Sequence, residues 1–271
     1  MSKIPTKVIQ DTTVPVIGLG TYELEGDECR EAVSEAIHLG YRHIDTARMY
    51  ENEEDVGLGI LDTGIVRDDL FLTSKVWWED LDEKTVINEI EASLEALRTD
   101  YLDLVLIHWP NPDIPLYEPL GALEMLQESE LIRYFGVSNF SADLLTEAIQ
   151  IASIFSIQVE YHPLLDQTEI LQMAQRHDLL MTSYSPLARG DVAKYDAIRE
   201  VAKRHGKTPY QVALRWLIDQ PKVAVIPKSS DPTHLRENIE IFDFELDGDD
   251  LAKIANLPGD VKKVNPDFAT V

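Results

Sequence analysis

The sequence predicts an α/β protein: a single (β/α)8 TIM barrel with a short N-terminal β-hairpin at the barrel bottom. Three observations lead there. Eight short β-branched or aliphatic runs recur along the chain, stretches of helical period lie between them, and no compositional break divides the 271 residues. Residues 1–271 are therefore expected to form one domain.

The first strand is expected in VIGLGT (16–21). Just ahead of it, in TKVIQDTTVPVIGLG, two β-prone runs flank DTT and predict the hairpin. The remaining strands follow as HIDTA (43–47), LFLTSKV (70–76), LVLIHW (104–109), YFGVSNF (134–140), SIQVEY (156–161), LMTSYSPL (180–187) and AVIPKSS (224–230). Amphipathic helices are read in DECREAVSEAIHLG, EKTVINEIEASLEALRTD, SADLLTEAIQIA, TEILQMAQRHD and TPYQVALRWLIDQ. Gly40 suits the position after the first helix, and Thr208 before Pro209 reads as an N-cap followed by the favoured first-turn proline. A doubly wound dinucleotide-binding sheet is the competing arrangement. It normally carries G-x-G-x-x-G after its first strand, and GLGTYE does not complete that pattern.

Forty-nine Asp and Glu against 24 Lys and Arg give a formal charge of −25, with the acids dispersed through EGDECRE, ENEED, WWEDLDEK and FDFELDGDD. Dispersal predicts an acidic coat over a folded body, which argues against nucleic acid or an anionic membrane as partner. Such a coat repels itself, and a salt-rich cytoplasm would screen it. The single Cys29 cannot form an internal disulfide, no Cys/His spacing points to a metal, and MSKIPTKVIQ lacks the apolar core of a secretory signal. A cytoplasmic protein is expected, and a monomer, because no apolar stripe calls for a partner.

Barrels of this type place their chemistry where the strands end in the C-terminal direction. The second strand ends in Asp45 with Tyr50 just beyond, the third in Lys75, and the fourth in His108 beside Trp109. The fifth ends in Ser138 and Asn139, the sixth in Gln158, the seventh in Tyr184 and Ser185, and the eighth in Lys228 and Ser229. Alternation puts Phe71, Thr73 and Lys75 on one strand face, and Leu104, Leu106 and His108 on one face of the next. If both faces point inward, a carboxylate, a phenol, an amine and an imidazole converge at one mouth. Taken singly, Asp45 reads as a loop residue, Lys75 as a snorkelling surface lysine, His108 as a hydrogen-bonded core residue and His43 as a satisfied barrel filler. Four different titratable groups at one fold position are harder to dismiss together.

That set suits proton transfer. A lysine ammonium favours the phenolate and lowers the pKa of a nearby tyrosine, an aspartate holds the lysine, and a histidine orients a carbonyl oxygen. No nucleophile with a matching base stands out. A proton donor without a nucleophile makes sense when hydride comes from a bound cofactor.

GLGTY, GYRHIDTARMYENEEDVG, LTSKVW, YLDLVLIHWP, YFGVSNF, QVEYHP, YSPL and VIPKSS together resemble the aldo-keto reductases, in order, from about Val14 to Phe242. The short loop after Trp109 and the short C-terminal tail resemble the prokaryotic branch that includes diketogluconate reductases. The resemblance implies NAD(P)H-dependent reduction of small aldehyde or ketone substrates by a tetrad of Asp45, Tyr50, Lys75 and His108, with Tyr50 giving the proton. It implies a nicotinamide carboxamide held by Ser138, Asn139 and Gln158, a ring stacked on Tyr184, and a pyrophosphate path along Ser185 and Leu187. Lys228 and Ser229 would meet the 2′-phosphate of NADPH, and Glu237 and Asn238 the adenine. Tyr22, Trp77 and Trp109 would wall the substrate pocket, while Trp78 is assigned to core packing. His234 stands where an arginine usually grips the phosphate, so NADH use is expected beside NADPH. Ile157 stands where an asparagine is usual. The same resemblance also covers cofactor-binding regulatory or scaffold subunits with little turnover, a reading the complete tetrad disfavours.

Overall fold

The computed structural model describes residues 4–266 and residue 268. Its N-terminal hairpin pairs β1 (Thr6–Ile9) with β2 (Thr12–Pro15) in antiparallel register. Both residues of the turn, Gln10 and Asp11, have positive φ (44° and 66°), so the turn takes only the Asp of DTT, and Thr12 already pairs with Ile9.

The barrel strands are β3 (Leu19–Gly20), β4 (His43–Asp45), β5 (Phe71–Val76), β6 (Leu102–Ile107), β7 (Ile132–Ser138), β8 (Ser156–Glu160), β9 (Leu180–Tyr184) and β10 (Val223–Val225), each parallel to its neighbours. The Gly18 N–H donates to the Val225 carbonyl at 2.8 Å and the Val225 N–H to the Val16 carbonyl at 3.0 Å, which closes the sheet on itself. Around it run α1 (Gly26–Leu39), α2 (Glu53–Thr63), α3 (Glu83–Leu97), α4 (Tyr117–Glu128), α5 (Ala142–Ile151), α6 (Thr168–Arg176), α7 (Asp196–His205), α8 (Pro209–Ile218), α9 (Pro232–Ile239) and α10 (Gly248–Ala255). The expected caps are in place. Gly40 ends α1 at φ 108°, and Thr208 opens α8 in a reciprocal capping box with Gln211.

Alternation along the strands sorts two cores. Leu72, Val105, Val137, Ile157 and Met181 face outward into the layer shared with the helices. Phe71, Leu104, Leu106, Phe155, Leu180 and Ala224 face inward, where Ile9 and Val14 of the hairpin pack against them and plug the floor. With the floor sealed by apolar side chains, the other end of the same inward-facing rows is left for polar groups. No helix among the described residues is long and apolar enough to cross a membrane.

Candidate active site

Strand register decides which polar groups meet. Gly20 lies opposite Asp45, Asp45 opposite Thr73, and Lys75 opposite Leu106, so His108 stands one step further out than Lys75. The Lys75 ammonium, 1% exposed, donates to Asp45 Oδ1 at 2.5 Å, to the Thr46 carbonyl at 2.8 Å and to the Tyr50 hydroxyl at 3.3 Å. Asp45 uses its second oxygen to accept from the Gln158 amide at 2.7 Å. The ring of Tyr50 meets His108 edge-on at 5.6 Å and lies tilted against Tyr22 at 5.1 Å. Carboxylate, amine, phenol and imidazole therefore sit together at one rim.

Tyr50 comes from no strand. It ends a single 3-10 turn, Arg48–Tyr50, which Arg48 pins by pairing with Glu53 at 3.1 Å and Glu89 at 2.8 Å. Glu53 in turn accepts from Ser74 of β5 at 2.6 Å and from Ser93 of α3 at 3.1 Å, so the turn is tied to the strand that carries Lys75.

The charge states differ in one respect from the sequence reading. Burial pushes the Tyr50 phenol above its ordinary value; the Lys75 ammonium pulls it down, without winning. Lys75 itself is opposed by burial yet held above the ordinary lysine value, because Asp45 and Tyr50 together outweigh desolvation. Burial, helped by the Lys75 charge, holds His108 well below the usual imidazole range. The resting rim is thus a neutral phenol, a neutral imidazole and a buried ion pair. Among the described residues His108 Nδ1 has no hydrogen-bond partner, and a proton there would be stranded, so the ring proton belongs on Nε2. Deeper in the barrel, His43 is pushed down to about 4, mainly by burial. Its Nε2 lies 3.5 Å from the Thr73 hydroxyl and the ring sits against the Pro15 backbone, so it fills the barrel beneath the rim.

The rim opens into a cavity of about 640 Å³. Of the residues expected at the site, Tyr22, Asp45, Tyr50, Trp77, His108, Trp109, Asn139, Gln158, Tyr184, Ser185, Leu187 and Lys228 line it. Asn139 donates to the His108 carbonyl at 2.9 Å and accepts from the Tyr184 hydroxyl at 2.7 Å. Ser138 is fully buried behind it, accepting from the Asn139 amide at 3.0 Å.

Six expected residues lie outside the lining: Lys75 and Ser138 are buried behind it, and four others lie on or just before α9. Ser229 engages Asp231 at the start of α9, His234 projects from that helix into solvent, Glu237 lends its carbonyl to Gln211, and Asn238 is buried. Helix α9 lies outside the barrel against α1, where the Tyr41 hydroxyl donates to the Leu235 carbonyl at 2.9 Å. Trp78 also departs from expectation. It is half-buried and stacks on Phe268 at 4.9 Å and 7°, backing a wall of the cavity.

Several lining residues carry no strand-end signal. Met49 follows from its place beside Tyr50. Arg189 and Gly190 belong to a turn in which Ser185, Ala188, Arg189 and Gly190 all have positive φ (47°, 50°, 53° and 91°). Left-handed backbone at three non-glycine positions costs roughly 1–3 kcal/mol each and concentrates where a loop must hold a ligand. The basic residue before a glycine in PLARG was the available clue. Val264, Pro266 and Phe268 arrive from the C-terminal segment, with no local signature at all.

Fold and rim together define a (β/α)8 enzyme organised around proton transfer. The chain belongs to the aldo/keto reductase family, whose model matches residues 16–258. It is 42% identical over 267 residues to the glyoxal reductase of Bacillus subtilis (strain 168), covering 97% of this chain and 96% of that one. A solved structure assigned as a 2,5-diketo-D-gluconic acid reductase B superposes with a TM-score of 0.95 at 40% identity, over 98% of this chain and 96% of that one. The Bombyx mori aldo-keto reductase solved in complex with NADP superposes with a TM-score of 0.90 at 30% identity, over 100% of both chains. The protein is accordingly an oxidoreductase that reduces carbonyl groups with a nicotinamide cofactor.

Proposed function

We propose that this enzyme reduces small dicarbonyl compounds, with Tyr50 as the proton donor, and that residues 1–271 act as one catalytic domain. The arrangement of Tyr50, Lys75, Asp45 and His108 at the open end of an apolar cavity carries the reading. His108, neutral with its proton on Nε2, donates a hydrogen bond to the substrate carbonyl oxygen and points the carbonyl carbon into the site. Tyr50 holds its proton at rest. As negative charge builds on the carbonyl oxygen, Tyr50 passes the proton from its hydroxyl to that oxygen, and Lys75 at 3.3 Å stabilises the phenolate left behind. Asp45 keeps Lys75 charged and aimed. Nicotinamide, when bound, supplies the hydride.

The residues present fit that cofactor. The cavity is within the ~300–1,000 Å³ range of ligand sites, with the Tyr184 ring beside it and two cationic side chains, Arg189 and Lys228, in its lining. Asn139, Gln158 and Tyr184 would hold the nicotinamide end, and Ser185, Leu187, Arg189 and Lys228 the phosphates. Ser138 would act through Asn139. Lys228 lacks support: His234 is exposed, and Ser230 donates to Glu28 at 2.5 Å, which brings a carboxylate beside the phosphate end. NADPH is therefore the expected cofactor with NADH also accepted, and a preference of a hundredfold or more for NADPH in kcat/KM would overturn this.

Substrate size follows from the walls. Tyr22, Trp77, Trp109 and Phe268 leave an apolar slot suited to short carbonyl compounds, in keeping with the glyoxal and diketogluconic acid named for the relatives. A monomer in a salt-rich cytoplasm is the cellular setting we infer, from the −25 charge and from exposed acids such as Glu23, Glu25, Asp27 and Glu28. The test of the assignment is Tyr50→Phe, with glyoxal and 2,5-diketo-D-gluconate as substrates. Carbonyl reduction is expected to fall by about 10²–10⁴ while cofactor binding, read by fluorescence, persists. Retained turnover would remove Tyr50 as the acid.

A further inference from the structure

We propose that Glu160 and His162 form a latch that holds the C-terminal segment over the substrate side of the pocket, which makes Glu160 a positioning residue for substrate binding. The kinetic part of this proposal rests on the carbonyl-reduction reading above; the structural part does not.

Glu160 ends β8 on the same strand face as Gln158, and it is 2% exposed. Among the described residues no lysine or arginine side chain pairs with its carboxylate. Its donors are instead two backbone N–H groups of the tail and one imidazole. Oε1 accepts from the Lys263 N–H at 2.7 Å, and Oε2 from the Val264 N–H at 2.8 Å. His162 Nε2 stands 2.9 Å from Oε1, while its Nδ1 accepts the Leu164 N–H at 3.3 Å. Since Nδ1 is an acceptor, the ring proton sits on Nε2 and is donated to Glu160. A carboxylate offers only acceptors, and here three N–H donors converge on it.

The segment approaches the latch already guided. The Asp166 N–H donates to the Gly259 carbonyl at 2.8 Å and the Val261 N–H to the Leu164 carbonyl at 2.9 Å, laying residues 259–261 along the loop after β8. Past the latch, Val264, Pro266 and Phe268 line the cavity. Phe268 stacks on Trp78, meets Trp77 edge-on at 5.4 Å and meets Trp109 edge-on at 5.7 Å. A buried carboxylate is costly to keep unless it is fully hydrogen-bonded. Two of the three donors that satisfy this one belong to the segment it holds; the Lys263 side chain also pairs with Asp191, so the carboxylate is the anchor of the tail's backbone beside that side-chain tether.

Glu160→Gln keeps size and shape but turns one acceptor into an NH2 group, which then faces a backbone N–H. In the variant, tryptophan emission shifts to the red as Trp77, Trp78 and Trp109 lose Phe268, and trypsin cuts at Lys262 and Lys263 faster than in the parent. The KM for glyoxal rises about tenfold, the scale of lost aromatic contacts, and kcat falls by less. A chain ending at Lys262 shows the same KM, and adding Glu160→Gln to it changes KM no further. Unmoved emission and proteolysis in full-length Glu160→Gln would overturn the latch, as would a further KM change in the shortened chain. Where Glu160→Gln fails to fold, Phe268→Ala carries the test, and an unchanged KM there removes the claim on substrate binding. A parent protein that reduced no carbonyl would defeat the proposed function, and emission and proteolysis would still decide the latch.

Discussion

Asp45→Asn is the sharpest single perturbation of the rim. Asp45 is 1% exposed, and its two oxygens accept separately from Lys75 at 2.5 Å and from Gln158 at 2.7 Å. An asparagine can offer its one carbonyl oxygen to either donor but must turn its NH2 group towards the other. Lys75 keeps the Thr46 carbonyl and the Tyr50 hydroxyl, and loses the carboxylate that does most to offset its burial. Breaking a buried pair by removing one partner costs about 3–5 kcal/mol. At roughly 2–4 °C per kcal/mol for a chain of this size class, Tm should fall by about 10 °C at pH 7.

The pH dependence gives the perturbation a second signature. In the parent, the folded Lys75 lies above the ordinary lysine value, so its contribution is complete below about pH 10.4 and fades as pH rises through the folded value. In the variant, the largest influence on Lys75 is burial, which Tyr50 opposes without the Asp45 charge, and Lys75 drops below that value. The folded variant then binds fewer protons than its unfolded chain and gains stability as pH rises. The gap between parent and variant should be widest at neutral pH and close above the variant's Lys75 pKa by about 1.4 kcal/mol per pH unit. Melting curves from pH 6 to 10 read this directly. A Tm within about 2 °C of the parent at pH 7, or a gap that stays constant, would refute the account of Lys75.

Four further outcomes follow. With His108 held well below 6.5 and Tyr50 above 10, neither changes charge between those values, so kcat should be flat from about pH 6.5 to 10; a bell with a limb inside that window would contradict the assigned states. Gly136→Ala would bring a Cβ to 2.2 Å from the Ser156 carbonyl, a backbone atom of the adjoining strand, and should cost about 1–3 kcal/mol or prevent folding; a wild-type denaturation midpoint would refute it. Lys228→Ala should raise the Kd for NADPH more than that for NADH, and the difference should shrink in high salt; equal effects on both cofactors would remove Lys228 from the 2′-phosphate. Added salt should raise Tm progressively as it screens the −25 charge, and full stability without salt would count against a salt-adapted chain.

Asp45, Lys75 and His108 were legible because period-2 alternation and the barrel rule act locally. Each lies at the end of its own hydrophobic run, and the register between strands is fixed by the rows beneath. Tyr50 was legible only as a loop residue near a strand end. Its placement depends on Arg48, Glu53, Ser74 and Ser93, four residues from four elements with no shared spacing. The adenosine-side assignments fared differently. Lys228 follows β10 closely and reaches the cavity, whereas His234, Glu237 and Asn238 depend on the rotation of α9 against α1, which no local pattern specifies. The tail lay furthest from view. Lys263 and Val264 meet Glu160 across more than 100 residues, and although Glu160 lies in a legible strand, nothing local to residues 263–264 marks them as its partners.

On the proposed assignment, the raised Tyr50 pKa is an asset and not a contradiction. A phenol pulled down towards neutral pH would spend much of its time as phenolate, useless as a donor and competing with the substrate oxygen for Lys75. Burial prevents this by disfavouring the phenolate whenever the site holds no developing negative charge. The Lys75–Asp45 pair does not lower the resting barrier to ionisation enough to release the proton. It lowers the cost of the phenolate at the moment charge moves from the substrate oxygen to Tyr50, where a preorganised ammonium needs no solvent to reorganise. The same burial holds His108 neutral, so it brings a hydrogen bond to the carbonyl without adding a second positive charge beside Lys75. Desolvation thus sets both groups in the form the reaction needs, and the ion pair acts selectively on the step in which charge is transferred.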